Sequence, residues 1–262
     1  MKRLIFVLAL SLFGLSASHV YATPVGDAIR EVDRASVQIT TQCDYIMKLK
    51  NANSAPIKKS LKFFGNGSFI EHPELPEKLH FVITAVHVVV CPQELNKRLF
   101  DDKFTIEQVA SFEINTGLFV KHGASVYPAT VSQQGFNKDS DLDLAILDVL
   151  MPSGAHGHNS VLTDEGAYDI KDEVIVRGFM PGGLLRLKVT HIEDILGDKL
   201  LLQLNTPGYS GLSGSPVLWY KDGRYYVIGV LVLKYQTDSE GVIDVSFATR
   251  LKKEYFEPTK KP

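Results

Sequence analysis

Short runs rich in Val, Ile, Leu, Phe and Tyr, each bounded by Gly, Pro, Asn or Asp, follow one another through nearly the whole chain. No other feature limits the fold as strongly. After a short helix over Val25–Arg34, strands are predicted over Ser36–Thr41, Leu61–Ile70, Leu79–Val86, Ser111–Val120, Ser125–Gln133 and Leu142–Leu150. Later ones are predicted over Glu173–Phe179, Leu184–Ile195, Lys199–Leu204, Pro216–Tyr220, Tyr225–Leu233 and Val242–Phe247. Turn signals such as Lys221-Asp222-Gly223-Arg224 join neighbours as hairpins. Pro92–Gln108 reads as the one helical insertion in the first half. Many short strands with little helix between them predict an all-β chain built of antiparallel barrels or sandwiches, not a parallel sheet.

A length of 262 residues allows one large domain or two small ones. Between Met151 and Tyr168 the strand pattern is broken by Pro152, Gly154, Gly157 and Gly166. Residues 151–168 therefore read as a linker between β-domains at 23–150 and 169–250, with a lysine-rich tail at 251–262. Residues 1–22 read as an address. Met1-Lys2-Arg3 is basic, Leu4–Leu15 is apolar, and Val20-Tyr21-Ala22 ends in the pattern a signal peptidase reads. The apolar run is short of the roughly 20 residues a spanning helix needs, so no stable membrane anchor is expected after removal. An uncleaved anchor, or cleavage after Ala17 or Ser18, is the competing reading. The expected location is secreted or periplasmic. Charge is nearly balanced, 28 basic against 30 acidic side chains, which gives no reason to expect nucleic acid. Two cysteines are too few for a zinc ribbon or an iron–sulfur site.

Three motifs carry chemistry, in this order. Thr84-Ala85-Val86-His87-Val88-Val89 ends an apolar strand with a histidine; Asp143-Leu144-Ala145-Ile146-Leu147 opens another with an acid. Gly211-Leu212-Ser213-Gly214-Ser215-Pro216 sets a serine in a glycine-flanked turn before a third. Acyl transfer needs these parts: a hydroxyl nucleophile, an imidazole to take its proton and a carboxylate to orient that imidazole. Flanking glycines let backbone N–H groups converge on the oxygen that becomes negative. Asp139, Asp141 and Asp148 rival Asp143, but only Asp143 opens Leu-Ala-Ile-Leu. Ser210 and Ser213 both stand two residues after a glycine. Only Ser213 is followed by Gly214-Ser215-Pro216-Val217, where the chain enters a strand, and preceded by Gly211. His156-Gly157-His158 could hold a metal, yet histidines in a glycine-rich linker are more often solvated, and no metal is expected.

At these residues the sequence resembles the chymotrypsin-like (trypsin-type) serine peptidases. It is nearest in motif to bacterial glutamyl endopeptidases and to the catalytic domains of periplasmic proteases. The order His, Asp, Ser is that family's, and Ser213-Gly214-Ser215-Pro216-Val217 resembles the glutamyl endopeptidase form of the serine motif. Gly65-Asn66-Gly67-Ser68-Phe69 resembles the small-residue turn before the histidine strand, and Gly229-Val230-Leu231-Val232 the strand lining the specificity pocket.

The resemblance implies two antiparallel six-stranded β-barrels with the active site in the cleft between them. It implies His87 as base, Asp143 as orienting acid, Ser213 as nucleophile, and the N–H groups of Gly211 and Ser213 as oxyanion hole. No cofactor is needed, and the partner is a peptide or protein substrate. Pro207, Leu231, Val232 and Leu233 would line the specificity pocket. With Pro207 where a pocket-base carboxylate would stand, a basic residue before the scissile bond is not required. No histidine on that strand pairs with a glutamate, so an apolar or small residue is expected instead. In an oxidising compartment two cysteines most simply form one bridge, and family members clasp the histidine loop at a similar place. Cys43–Cys91 is the expected disulfide, two buried thiols the alternative. Leu212 and Ser215 depart from the family's Asp or Asn and second glycine, and are expected to be surface or turn variations. The stretch from His87 to Asp143 implies enlarged loops around the first barrel. No peptide-binding module follows, so a stand-alone endopeptidase is expected. The alternative is a catalytically silent relative that binds peptides or a protein through the same cleft.

Overall fold

The computed structural model describes residues 24–50, 55–73, 75, 80–92, 109–137, 142–152, 157–180, 182–202, 211–233, 236–238, 241–243 and 246–257. Residues 1–22, the helix expected before Gln108, and Pro207, Ser210, Asp139, Asp141 and His156 lie outside them, the helix apart from its first residue.

Alternation of buried and part-exposed residues builds the first strand, β1 (Ser36–Leu49), after helix α1 (Pro24–Ala35). Val37, Ile39, Thr41, Cys43, Tyr45 and Met47 all face inward. The period of two persists past Thr41, where the expected strand stops, because Gln42, Asp44 and Lys48 occupy outward positions and break only the hydrophobicity. β2 (Ile57–Glu71), β3 (Phe81–Thr84), β4 (Val109–His122), β5 (Ser125–Asn137) and β6 (Leu142–Val149) follow. Their antiparallel pairings run β1–β2–β3–β6–β5–β4 and return to β1, which closes a six-stranded barrel. Much of the stretch between His87 and Asp143 is thus barrel wall, the β4–β5 hairpin, and not enlarged loop.

After β7 (Asn159–Val161) come β8 (Glu173–Phe179), β9 (Leu185–Leu196), β10 (Lys199–Leu202), β11 (Pro216–Lys221) and β12 (Arg224–Leu233). The strand expected over Val242–Phe247 is divided. Gly241–Ile243 (β14) pairs with Gln236–Asp238 (β13) as a separate hairpin, and β15 (Ser246–Arg250) joins the main sheet. The pairings β8–β9–β10–β15–β12–β11–β8 close a second antiparallel barrel of six strands. The fold is the expected one, all-β with two six-stranded barrels.

β7 falls in the segment read as a linker and is itself part of the sheet. It pairs in parallel with β2 of one barrel and β12 of the other. Buried Asn159 secures it by donating from Nδ2 to Ser68 Oγ at 2.8 Å. One apolar cluster runs through both barrels, joining Ile39, Phe69, Ile83 and Leu147 to Leu218, Val227, Val230 and Val232. Leu251 and Phe256, from the C-terminal segment, are buried in the same cluster. The second barrel keeps its own interior of Val174, Val176, Ile192, Leu200, Ile228 and Leu231. A bulge in the β11–β12 ladder at Val217/Leu218 sets which face of β12 meets which cluster. Helix α1 also reaches both barrels: Arg177 Nε on β8 meets Asp33 Oδ1 at 2.6 Å, and a His122 ring nitrogen on β4 meets the Arg34 carbonyl at 2.8 Å.

Candidate active site

His87 does not end a strand. β3 stops at Thr84, and the chain makes one helical turn, α2 (Val86–Val89). The turn keeps Val86, Val88 and Val89 buried while the His87 side chain stays 43% exposed, a division that continued strand alternation would not give. Thr41 Oγ1 on β1 donates to the Val88 carbonyl at 2.6 Å, and a disulfide joins Cys91, just beyond the turn, to Cys43 on β1 with Cα atoms 5.7 Å apart. The bridge spans 48 residues. Closing a loop of that size stabilises by about 4 kcal/mol in the chain-entropy description.

Register brings the acid to the histidine. β3 and β6 pair Thr84 with Ala145, so Asp143 lies two residues further along, level with the start of α2. Its carboxylate is buried and doubly engaged. Oδ1 accepts the His87 backbone N–H at 3.0 Å, and Oδ2 lies 2.5 Å from His87 Nδ1. With a carboxylate as partner, Nδ1 is the donor, which leaves Nε2 as the acceptor on the exposed side of the ring. Burial pushes the Asp143 carboxyl up, but the hydrogen bonds and charge of His87, with the Val86 N–H, override it and hold the group below its ordinary value. Asp148 stands opposite Phe81, at the other end of the β3–β6 ladder.

Ser213 sits in a tight turn between two left-handed glycines, Gly211 (φ 111°) and Gly214 (φ 83°). The turn is pinned to β12 by Gly214 N–H to Leu231 O at 2.9 Å and Leu231 N–H to Ser215 O at 2.8 Å. It is pinned to the first barrel by Asn66 N–H to Ser213 O at 2.9 Å. Gly65, beside Asn66, shows how near the two motifs come. A Cβ there would stand 3.1 Å from the Ser213 carbonyl oxygen and 2.5 Å from Val88, the neighbour of His87. Among the described residues, the N–H groups of Gly211 and Ser213 donate to no backbone carbonyl, whereas those of Gly214 and Ser215 are used within the turn and on β12.

Leu212 and Ser215 are not surface variations. Leu212 is buried in the second barrel's core and Ser215 is wholly enclosed against Gly178, because the turn is held between β12 and Asn66 by its backbone hydrogen bonds. Leu231 points into the second-barrel core and Val232 into the shared cluster, while Leu233 closes β12. Near β7, His158 stacks 6.5 Å from His80, and burial lowers its pKa. Among the described residues no group of three His, Cys, Asp or Glu could hold a metal ion. Sequence reasoning read Asn66 only as part of a small-residue turn. Its side chain makes three hydrogen bonds into the second barrel, and no linear pattern announces them.

No protein-family model matches this chain, and no curated protein matches it. Among solved structures, the Rv3671c protease of M. tuberculosis in its active form aligns with a TM-score of 0.50 and 16% identity, over 85% of this chain and 78% of that one. Two structures of the inactive form align with TM-scores of 0.48 and 0.46, at 16% and 18% identity. These cover 85% and 86% of this chain and 84% and 87% of those. At such identity the likeness to the active form is one of fold, and the closed strand ladders agree with it: this chain has the chymotrypsin-like arrangement of two barrels.

Proposed function

We propose that this chain is a serine endopeptidase, secreted or periplasmic, that hydrolyses peptide bonds through a covalent acyl-enzyme. The observation that carries the reading is the clamp of Asp143 on both the backbone and the ring of His87. It orients an imidazole with its acceptor nitrogen outward, as a general base requires. In this mechanism His87 Nε2 takes the proton of Ser213 Oγ as that oxygen bonds to the scissile carbonyl carbon. The oxyanion formed is received by the N–H groups of Gly211 and Ser213. His87 then returns the proton to the departing amine as the C–N bond breaks, and water repeats the sequence to free the acid. The fold likeness to the Rv3671c protease and the serine-turn resemblance to glutamyl endopeptidases support the class. Pro207, which the family resemblance sets where a pocket-base carboxylate would stand, supports cleavage that does not require a basic residue before the scissile bond. The Cys43–Cys91 bridge supports an oxidising compartment, with residues 1–22 removed.

A fluorophosphonate probe tests the proposal. It is expected to label one serine, mapped by peptide mass to Ser213, and Ser213→Ala should abolish labelling. Turnover of a peptide substrate should fall on the order of 10⁵–10⁶-fold. Ser210→Ala should keep both. A wild-type protein that neither labels nor cleaves peptides would make the silent peptide-binding relative the better reading.

A further inference from the structure

Asn66 is 1% exposed and comes from β2 of the first barrel, yet its side chain belongs to the second. A buried primary amide has one acceptor oxygen and two donor hydrogens to satisfy. Nδ2 donates to the carbonyl oxygens of Gly211 at 2.5 Å and Phe179 at 3.2 Å, and Oδ1 accepts the Phe179 N–H at 2.6 Å. Two carbonyls on one side and an N–H on the other leave a single orientation for the amide. The main chain of the same residue is used as well. Its N–H reaches Ser213 O at 2.9 Å, and its carbonyl accepts from Thr84 Oγ1 at 2.6 Å.

One residue therefore grips the two carbonyls that flank Leu212, those of Gly211 and Ser213. Gripping a carbonyl fixes its whole peptide plane. The planes so fixed adjoin Gly211 N–H and Ser213 N–H. Gly211 has no side chain to restrain its own torsions and stands at φ 111°. Thr84, which holds the Asn66 carbonyl, lies three residues before His87.

We propose that Asn66 is the positioning residue of the oxyanion site, its amide holding the Gly211 peptide so that the N–H groups of Gly211 and Ser213 converge on one point. This rests on the serine endopeptidase reading. Asn66 touches no substrate and acts through the turn.

Asn66→Asp keeps the shape and the acceptor for the Phe179 N–H but turns an oxygen toward the Gly211 and Phe179 carbonyls. Asn66→Ala removes only the side chain, leaves both main-chain bonds, and serves if the aspartate variant does not fold. Each is compared with wild type in kcat per fluorophosphonate-titrated site, in KM, and in affinity for a peptide aldehyde, whose hemiacetal oxygen occupies the oxyanion position. The expected result is a fall in kcat of about 10- to 100-fold, somewhat less than the loss of a whole oxyanion donor. KM should stay within about twofold, and aldehyde affinity should weaken in step with kcat. A residue that merely bolts the barrels together would lower the number of titratable sites and leave kcat per site unchanged. That outcome, in a protein whose wild type labels at Ser213, overturns this proposal alone. Absence of labelling in wild type overturns the endopeptidase reading and this proposal with it.

Discussion

Asp143 is the residue at which stability and the proposed chemistry meet. Burial alone would raise its carboxyl, and the His87 and Val86 donors reverse the sign. With the folded value below the unfolded one, the unfolded chain binds the extra proton in the acid window between them, so stability rises with pH there. The contribution of Asp143 is present above its unfolded value and is lost as pH falls through the folded one. Asp143→Asn should therefore flatten the acid limb of a plot of urea midpoint against pH. The same variant leaves His87 Nδ1 without a carboxylate and should lower kcat by about 10⁴-fold at neutral pH. An unchanged acid limb together with near-normal turnover would remove Asp143 from the role given to it. At this scale the candidates His87, Asp143 and Ser213 were legible because each lies within three residues of the end of an apolar strand, in the chain order His, Asp, Ser. The burial of Leu212 and Ser215 was not, because no periodicity says which way a turn residue faces. The Asn66 amide was illegible for a related reason: its partners Phe179 and Gly211 are more than a hundred residues away.

Elements were legible in kind more than in length. β1 was expected to stop at Thr41, since Gln42 and Asp44 look like a break, yet outward positions on a barrel tolerate polar residues while the inward row continues. The helical turn α2 looks like strand, because Val86, Val88 and Val89 are all β-formers, and only tertiary packing turns them. Glycines separate two physical effects that sequence cannot. Gly214 and Gly223 share the left-handed region, at φ 83° and 86°. A Cβ at Gly223 meets nothing within 4 Å, whereas one at Gly214 would strike the Asn66 carbonyl and the Thr84 hydroxyl. Gly223→Ala should lower stability by about 1 kcal/mol through backbone strain alone. Gly214→Ala adds the overlap and should lose on the order of 3 kcal/mol. Urea unfolding of the two variants checks the difference, and equal losses would mean that the serine turn is not packed against β2 and β3 as described.

At the scale of the whole molecule an all-β chain of antiparallel barrels or sandwiches was legible from the count and spacing of strands and the two barrels from the family resemblance, but their union was not. The segment around Gly157 reads as a linker because glycines and a proline thin out its apolar residues, yet β7 needs only three residues to tie β2 to β12. The shared cluster, with Leu251 and Phe256 buried in it, makes each barrel part of the other's packing. Calorimetry should accordingly show one unfolding transition with equal van't Hoff and calorimetric enthalpies. Two resolved transitions would mean that the shared packing contributes little. Helix α1 adds to the union, since it holds Arg177 of one barrel through Asp33 and His122 of the other through the Arg34 carbonyl. A hybrid chain that took its first barrel from one parent and its second from another would thus inherit half a core from each. Recombination at the apparent linker would have to match Leu218, Val227 and Val230 to the other parent's Ile39, Phe69 and Leu147, so the heritable unit is the pair of barrels and not either one.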